Sequence, residues 1–314
     1  MNRQVTNTVL MIRPRHIEPN PETASTNFYQ KETNLPKKEI LKRAEYEFDE
    51  LVNTLKSHGV NVFVVQDSEN PITPDAHFPN NWISFHQNGD IGVYPMLAKS
   101  RRDERRADIF DFLEAQQFNI NSIFDYTSAE EEELFLEGTG SLVLDRVNRK
   151  AYCAISPRSN EDLFIEFCED FEYTPVLFEA MQTVEGERRS IYHTNVMMSI
   201  GKDLAIVCID SIDNKSERKN LLKHLREDNK TLIVITESQV SNFAGNMLQL
   251  ENDKGVQLMV MSKRAMDSLG TDQIEKIEKF ASILSSDIQM IETCGGGSVR
   301  CMIAEVFLPK TEGN

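Results

Sequence analysis

The 314-residue sequence predicts an α/β fold of five blades arranged as a propeller, and two observations carry that reading. One is a recurring unit: an amphipathic helix, a short apolar strand, then two strands around a turn. The other is spacing, because hairpins open at Asn81, Glu137, His193, Asn246 and Cys301, at intervals of about 55 residues. A unit too small to bury its own apolar face closes against its neighbours, and five such units close as a ring. Residues 1–314 are therefore read as a single domain whose equivalent positions face a common centre.

The first unit places a helix near Glu39 to His58, a strand over Val60 to Val65, and strands Asn81 to Phe85 and Ile91 to Tyr94 about Asn88-Gly89-Asp90. The second has a helix from Ala107 to Gln116, a strand from Ser122 to Tyr126 and a hairpin from Gly140 to Ile155 turning at Asp145 to Lys150. The third uses Asp162 to Phe171, Thr174 to Phe178, and the hairpin Thr194 to Cys208 around Gly201-Lys202-Asp203. In the fourth, Ser216 to Asn229 and Thr231 to Thr236 precede strands Asn246 to Leu250 and Val256 to Met261. The fifth is expected as a helix from Thr271 to Ser285 and strands Asp287 to Ile291 and Ser298 to Phe307, with Val9 to Arg13 completing that blade.

Composition narrows the function. With 34 basic against 50 acidic residues the net charge is −16, which opposes a nucleic-acid groove or a polyanionic substrate. The start lacks a basic cap followed by an apolar run, and no stretch is apolar enough to span a membrane. Cysteines 153, 168, 208, 294 and 301 form an odd set without a C-x-x-C pair, so free thiols in a reducing, cytoplasmic compartment are expected. His16, His77, His86, His193 and His224 show no metal-ligand spacing, and neither a metal nor another cofactor is expected.

Three residues suggest chemistry together that none suggests alone. Cys301 follows Gly295-Gly296-Gly297, a run that permits close approach of the chain to a ligand. Its thiol is a nucleophile only as thiolate and needs a proton acceptor, which His193 supplies. Glu137, beside Gly138 and Gly140, is placed to orient the histidine or to accept hydrogens from a planar substrate. Cys294 is the competing nucleophile, while Cys153, Cys168 and Cys208 read as core. The run Glu130 to Glu133 reads as a solvated face or a helix start, and some of Arg101, Arg102, Arg105 and Arg106 as surface charges pairing along a helix.

In order, Phe78-Pro79-Asn80-Asn81-Trp82, Glu137-Gly138, Ser156-Pro157-Arg158-Ser159, His193-Thr194-Asn195 and Gly295 through Cys301 resemble the guanidine-modifying, or pentein, superfamily of arginine deiminases, dimethylarginine hydrolases and amidinotransferases. With Arg13-Pro14 and Asn20-Pro21-Glu22-Thr23, the chain most resembles the citrulline-utilisation hydrolases. The resemblance implies Cys301 as attacking thiolate, His193 as general acid and base, and Glu137 as partner of histidine and substrate nitrogen. It also implies Asp75, in Asp75-Ala76-His77-Phe78, as ligand of a substrate α-amino group, and Arg101 and Arg158 as ligands of the α-carboxylate.

Two departures bear on the substrate. Deiminases of this superfamily typically carry aspartates where this chain has Asn81 and Asn195, and those carboxylates clamp a cationic guanidinium. Two amides instead suit a neutral ureido group, whose carbonyl oxygen carboxylates would repel. The expected reaction is hydrolysis of citrulline or a relative to ornithine, ammonia and carbon dioxide. A deiminase or dihydrolase of arginine or a substituted arginine is the alternative, then an amidinotransferase. A non-catalytic binding ring, as in a ribosome-binding translation factor, is disfavoured by the Glu137, His193 and Cys301 set. The expected partner is a small ureido or guanidino amino acid. Blade surfaces are compatible with a homodimer, although no local signal points to one.

Overall fold

In the computed structural model, which describes residues 3–311, five three-stranded sheets share one topology. Each has an antiparallel pair, a hairpin in four of the five, whose middle strand pairs in parallel with a third strand reached through a helix or helices. The first is Ile83–Phe85, Asp90–Val93 and Ser122–Asp125, with Asp108–Ala115 as crossover helix. The second joins Leu142–Asp145, Lys150–Ile155 and Thr174–Glu179 around helix Glu161–Asp170. The third joins Met198–Ile200, Leu204–Val207 and Thr231–Val234 around helix Lys215–Glu227. The fourth joins Leu248–Glu251, Gln257–Ser262 and Ser282–Ser286, its crossover including helix Thr271–Glu278.

The fifth sheet draws on both ends of the sequence. Ala304–Glu305 pairs antiparallel with Thr8–Arg13, which pairs in parallel with Asn61–Gln66 across helix Lys37–Ser57. The middle strands are buried and apolar, as in Leu-Met-Val-Met at 258–261, because each is covered on both faces. Helix Lys37–Ser57 turns Ile40, Ala44, Phe48, Leu51, Val52 and Leu55 inward at helical spacing. Burying Phe48 and Leu51 alone contributes about 1.5–3 kcal/mol each.

The structure corrects the grouping of these elements. Each helix and following strand belong to the hairpin before them, not the hairpin after: Asn61–Gln66 pairs with Thr8–Arg13 and not with the Ile83–Phe85 hairpin. A parallel pair needs a crossover, and the helix is that crossover. The fifth segment differs most. The helix stops at Glu278, Ser282–Ser286 is a strand, and Asp287 to Ile291 is no strand but leads into helix Gln289–Gly295. Ile277, Ala281 and Leu284 keep a helical spacing through the break, so periodicity alone carries the helix too far. The strand expected from Ser298 shrinks to Ala304–Glu305, leaving Cys301 on a turn. An additional exposed hairpin, Met181–Val184 with Glu187–Ser190, follows the second sheet.

Inner strands of different sheets meet: Leu142–Asp145 touches Met198–Ile200, Met198–Ile200 touches Leu248–Glu251, and Ile83–Phe85 touches Ala304–Glu305. The short helical turns before them also converge, with Gly138–Ser141 against both Pro79–Asn81 and Thr194–Met197. The five residues spaced about 55 apart therefore sit not on strands but at the turns that open them. No helix among the described residues is long and apolar enough to cross a membrane.

Candidate active site

Asn81, His193 and Cys301 line one small cavity, with Glu137 behind the histidine and Asn246 behind the cysteine. Local bonding fixes each station. The Glu137 N–H donates to the Arg158 carbonyl at 3.1 Å, which holds the second sheet's hairpin end beside the carboxylate. Thr194 Oγ donates to the Ser141 carbonyl at 2.5 Å and accepts the Ala154 N–H at 2.7 Å, pinning the turn that carries His193. The Cys301 N–H closes a turn onto the Ser298 carbonyl, and Tyr192 Oη donates to the Gly296 carbonyl at 2.7 Å. A side chain at Gly295 would press into the Phe78 ring, and one at Gly140 into Asn81 and His193 Nδ1. Those two glycines let the walls approach.

His193 Nε2 lies 2.7 Å from Glu137 Oε2. Burial pulls the imidazole down to about 4, against the opposing pull of Glu137, so the ring is neutral near pH 7. Neutral imidazole with Nε2–H directed at the carboxylate leaves the Nδ1 lone pair as its basic site. Burial would raise Glu137, but Arg158, His193 and Arg101 overcome it and hold the carboxyl at about 2. Its Oε2 lies 3.5 Å from Arg158 Nη1 and 3.8 Å from Arg101 Nη1, while Oε1 accepts the Leu97 N–H.

Cys301 is 3 % exposed and faces two amides: Asn246 Nδ2 approaches Sγ at 3.3 Å and Asn195 Nδ2 at 3.6 Å. Amide donors at this range stabilise a developing thiolate. Cys294, on helix Gln289–Gly295, points its sulfur at Met290, and burial pushes its thiol up to about 11. It does not line the cavity.

The remaining sequence candidates divide. Asp75 lines the cavity, accepts from Asn20 at 2.8 Å through Oδ2, and keeps a buried Oδ1 without a hydrogen-bond partner; burial raises its carboxyl. Arg101 also lines it, but its fork is filled by bidentate bonds to Glu104 at 2.9 Å and one to Asn81 Oδ1 at 2.8 Å. It is wholly buried rather than a surface charge. Arg158 stacks over Tyr192 and donates to Thr26 Oγ and the Thr23 carbonyl, neutral oxygens of the segment that follows strand Thr8–Arg13. Asn195 lies beneath the thiol, bonded to the Thr139 carbonyl, and does not line this cavity. Glu130 is no solvated charge: it pairs with Arg105 and Arg102 and accepts the Met96 N–H.

Sequence reasoning missed Asn246 as a site residue although it stands at the fourth regular station. It also missed the strap over the cleft, where Thr23 and Asn27 line the cavity and Asn27 bonds to the Gly295 carbonyl. The signal for Asn246 was its position; the strap carries no periodicity to detect.

A family model described as N,N dimethylarginine dimethylhydrolase, eukaryotic, matches residues 13–308. No curated protein matches the chain. Among solved structures, the N-terminal domain of ArgZ, an arginine dihydrolase from the ornithine-ammonia cycle in cyanobacteria, is similar with a TM-score of 0.71 at 17% identity, over 96% of this chain and 99% of that one. AgrE in complex with L-arginine gives 0.72 at 18% identity, over 97% of this chain and 41% of AgrE. DDAH from Pseudomonas aeruginosa, complexed with citrulline, gives 0.63 at 14% identity, over 96% and 99%.

Proposed function

The chain belongs to the N,N dimethylarginine dimethylhydrolase family of the guanidine-modifying superfamily and is a hydrolase of carbon–nitrogen bonds other than peptide bonds, and from that premise we propose that it hydrolyses the ureido group of citrulline or a close relative. The observation that carries this reading is the state of the cleft's charges. Glu137 and Asp75 already face Arg101, and Glu137 also faces Arg158, while Asn81 stands where a further carboxylate would be needed to clamp a guanidinium. A second cation beside Arg101 would be repelled; a neutral ureide would not.

In this reading the five sheets form one five-bladed propeller domain over residues 1–314, and the thiols point to a reducing, cytoplasmic setting. The Cys301 thiol gives its proton to His193 Nδ1 as sulfur attacks the ureido carbon, and Asn246 and Asn195 stabilise the thiolate. The imidazolium, stabilised by Glu137, protonates the departing nitrogen. His193 then takes a proton from water as it attacks the thiocarbonyl ester, and the thiolate leaves. The carbamic acid so released breaks its remaining C–N bond spontaneously, so one water molecule and one ureide give amine, ammonia and carbon dioxide. Asp75 receives the α-ammonium on its unpartnered Oδ1, and Arg158, released from the neutral strap oxygens, receives the α-carboxylate. Arg101 serves to hold Glu137 and Asn81 in place and not to bind carboxylate, because its donors are taken.

A second reading, dihydrolysis of arginine, draws on the same unpartnered Asp75 oxygen, which suits a cation, and on the likeness to ArgZ, an arginine dihydrolase. Incubating purified protein separately with citrulline and arginine, and measuring ornithine, citrulline and ammonia, tests both. Equal ornithine and ammonia from citrulline, with arginine untouched, supports the first. Ornithine from arginine supports the second, and citrulline accumulating from arginine while citrulline itself persists rejects both.

A further inference from the structure

A second cavity, of about 270 Å³, opens beside the turn that joins Leu142–Asp145 to Lys150–Ile155 and shares no lining residue with the cleft. It is lined by Arg146, Arg149, Gln87 and Asn88 on the polar side and by His86 and Phe171 as stacked rings, 4.1 Å apart at 25°. Arg146 is only 5 % exposed, lies over the Phe307 ring at 4.0 Å, and makes one long side-chain bond, to the Phe85 carbonyl at 3.5 Å. No ion pair forms at Arg146 among the described residues: neighbouring Asp145 is held by Lys230 at 3.0 Å, and Glu305 by Arg300 at 2.8 Å. Gln87 Nε2 is likewise buried without a partner. Arg149, over the Tyr173 ring, donates to the Phe171 carbonyl and meets only the exposed carboxylate of Glu172, at 3.8 Å. Burial and then both arginines hold His86 well below its usual value, as a positive surrounding requires.

A buried guanidinium without a counter-ion is costly, and costlier to explain in a protein of net charge −16. We propose that this cavity is a binding site for a small organic dicarboxylate, with Arg146 and Arg149 as its two cationic contacts and Gln87 Nε2 as a neutral donor. Planar guanidinium forks match carboxylates, and the stacked His86 and Phe171 rings give one flat wall for a slender carbon chain to lie against. The volume admits a compact acid and not a nucleic-acid strand. Bound ligand takes the place of Glu172 at Arg149, so that carboxylate swings wholly into solvent.

Titration calorimetry and thermal melting with succinate, at constant ionic strength, test the site. Saturable binding with a raised melting temperature is expected, and Arg149→Gln should weaken it about tenfold or more without altering turnover in the absence of the acid. Arg146→Met should abolish binding; if that variant fails to fold, Gln87→Leu should still weaken succinate several-fold. Tighter binding of inorganic phosphate than of succinate would overturn the dicarboxylate assignment. Absence of saturable succinate binding, or binding unchanged in Arg149→Gln and Gln87→Leu, would overturn the site.

Discussion

The cleft at Cys301 and the cavity at Arg146 are both walled by arginines, yet charge is arranged in opposite ways. In the cleft, Arg101 meets Glu104, Asp75, Glu137 and Asn81, so its charge is absorbed by the protein. At the other cavity Arg146 meets one carbonyl and an aromatic face. A saturated arginine orients its neighbours; an unsaturated one awaits an anion. Arg158 is intermediate, since Nη1 faces Glu137 while Nε and Nη2 rest on hydroxyl and carbonyl oxygens that a carboxylate can replace.

The comparison breaks first at the thiol. Cys301→Ser should lower turnover by on the order of 10⁴-fold or more. Cys294→Ser should leave it nearly unchanged, and iodoacetamide should label Cys301 faster than Cys294, whose thiol burial holds at about 11. Glu137→Gln comes next, with kcat lower by roughly 10²–10⁴-fold, because the imidazolium formed during the reaction loses its counter-charge. Arg101→Leu tests the saturated arginine: leaving Glu104 buried without its partner should cost about 3–5 kcal/mol, read as a lowered denaturation midpoint.

The pH profile sharpens the same contrast. His193 works as a base, and its value of about 4 puts the acid limb of kcat/KM there rather than at the ordinary 6.5. Because its folded value is depressed, the unfolded chain takes the proton first as pH falls. Stability from this group is complete above about 6.5 and lost between there and about 4. Glu137, also depressed, adds stability above its ordinary 4.5 that is lost as pH falls toward about 2. An acid limb at 6.5 in kcat/KM would remove the desolvated-base account. The smallest effect expected is at Thr26→Ala, where the bond that a substrate carboxylate must displace from Arg158 is already gone, so KM should fall about fivefold with kcat unchanged.

Much of this was legible in the residues because hairpins carry strong local signals: Asn88-Gly89-Asp90 and Gly201-Lys202-Asp203 both turn where expected. Even spacing then located Glu137, His193 and Cys301 together without any long-range information. Pairing was less legible. Whether Asn61–Gln66 joins the hairpin after it or the strand before it depends on crossover geometry, which composition does not encode. Roles within the cleft depended on partners far along the chain, as with Glu137 for Arg101 and Thr26 for Arg158. Arg146 was invisible as a candidate because an unpaired charge is defined by what fails to surround it.

The sheet made from Thr8–Arg13, Asn61–Gln66 and Ala304–Glu305 constrains the order of assembly during synthesis. Its parallel pair can form once the first crossover helix has left the ribosome, but the other edge of Thr8–Arg13 stays open until Ala304–Glu305 emerges. For most of translation the nascent chain thus displays an apolar strand edge of the kind that recruits other chains. The reactive sulfur is made three residues before the strand that covers this edge, so a ribosome releasing its product early yields a sticky fragment that is also chemically inert.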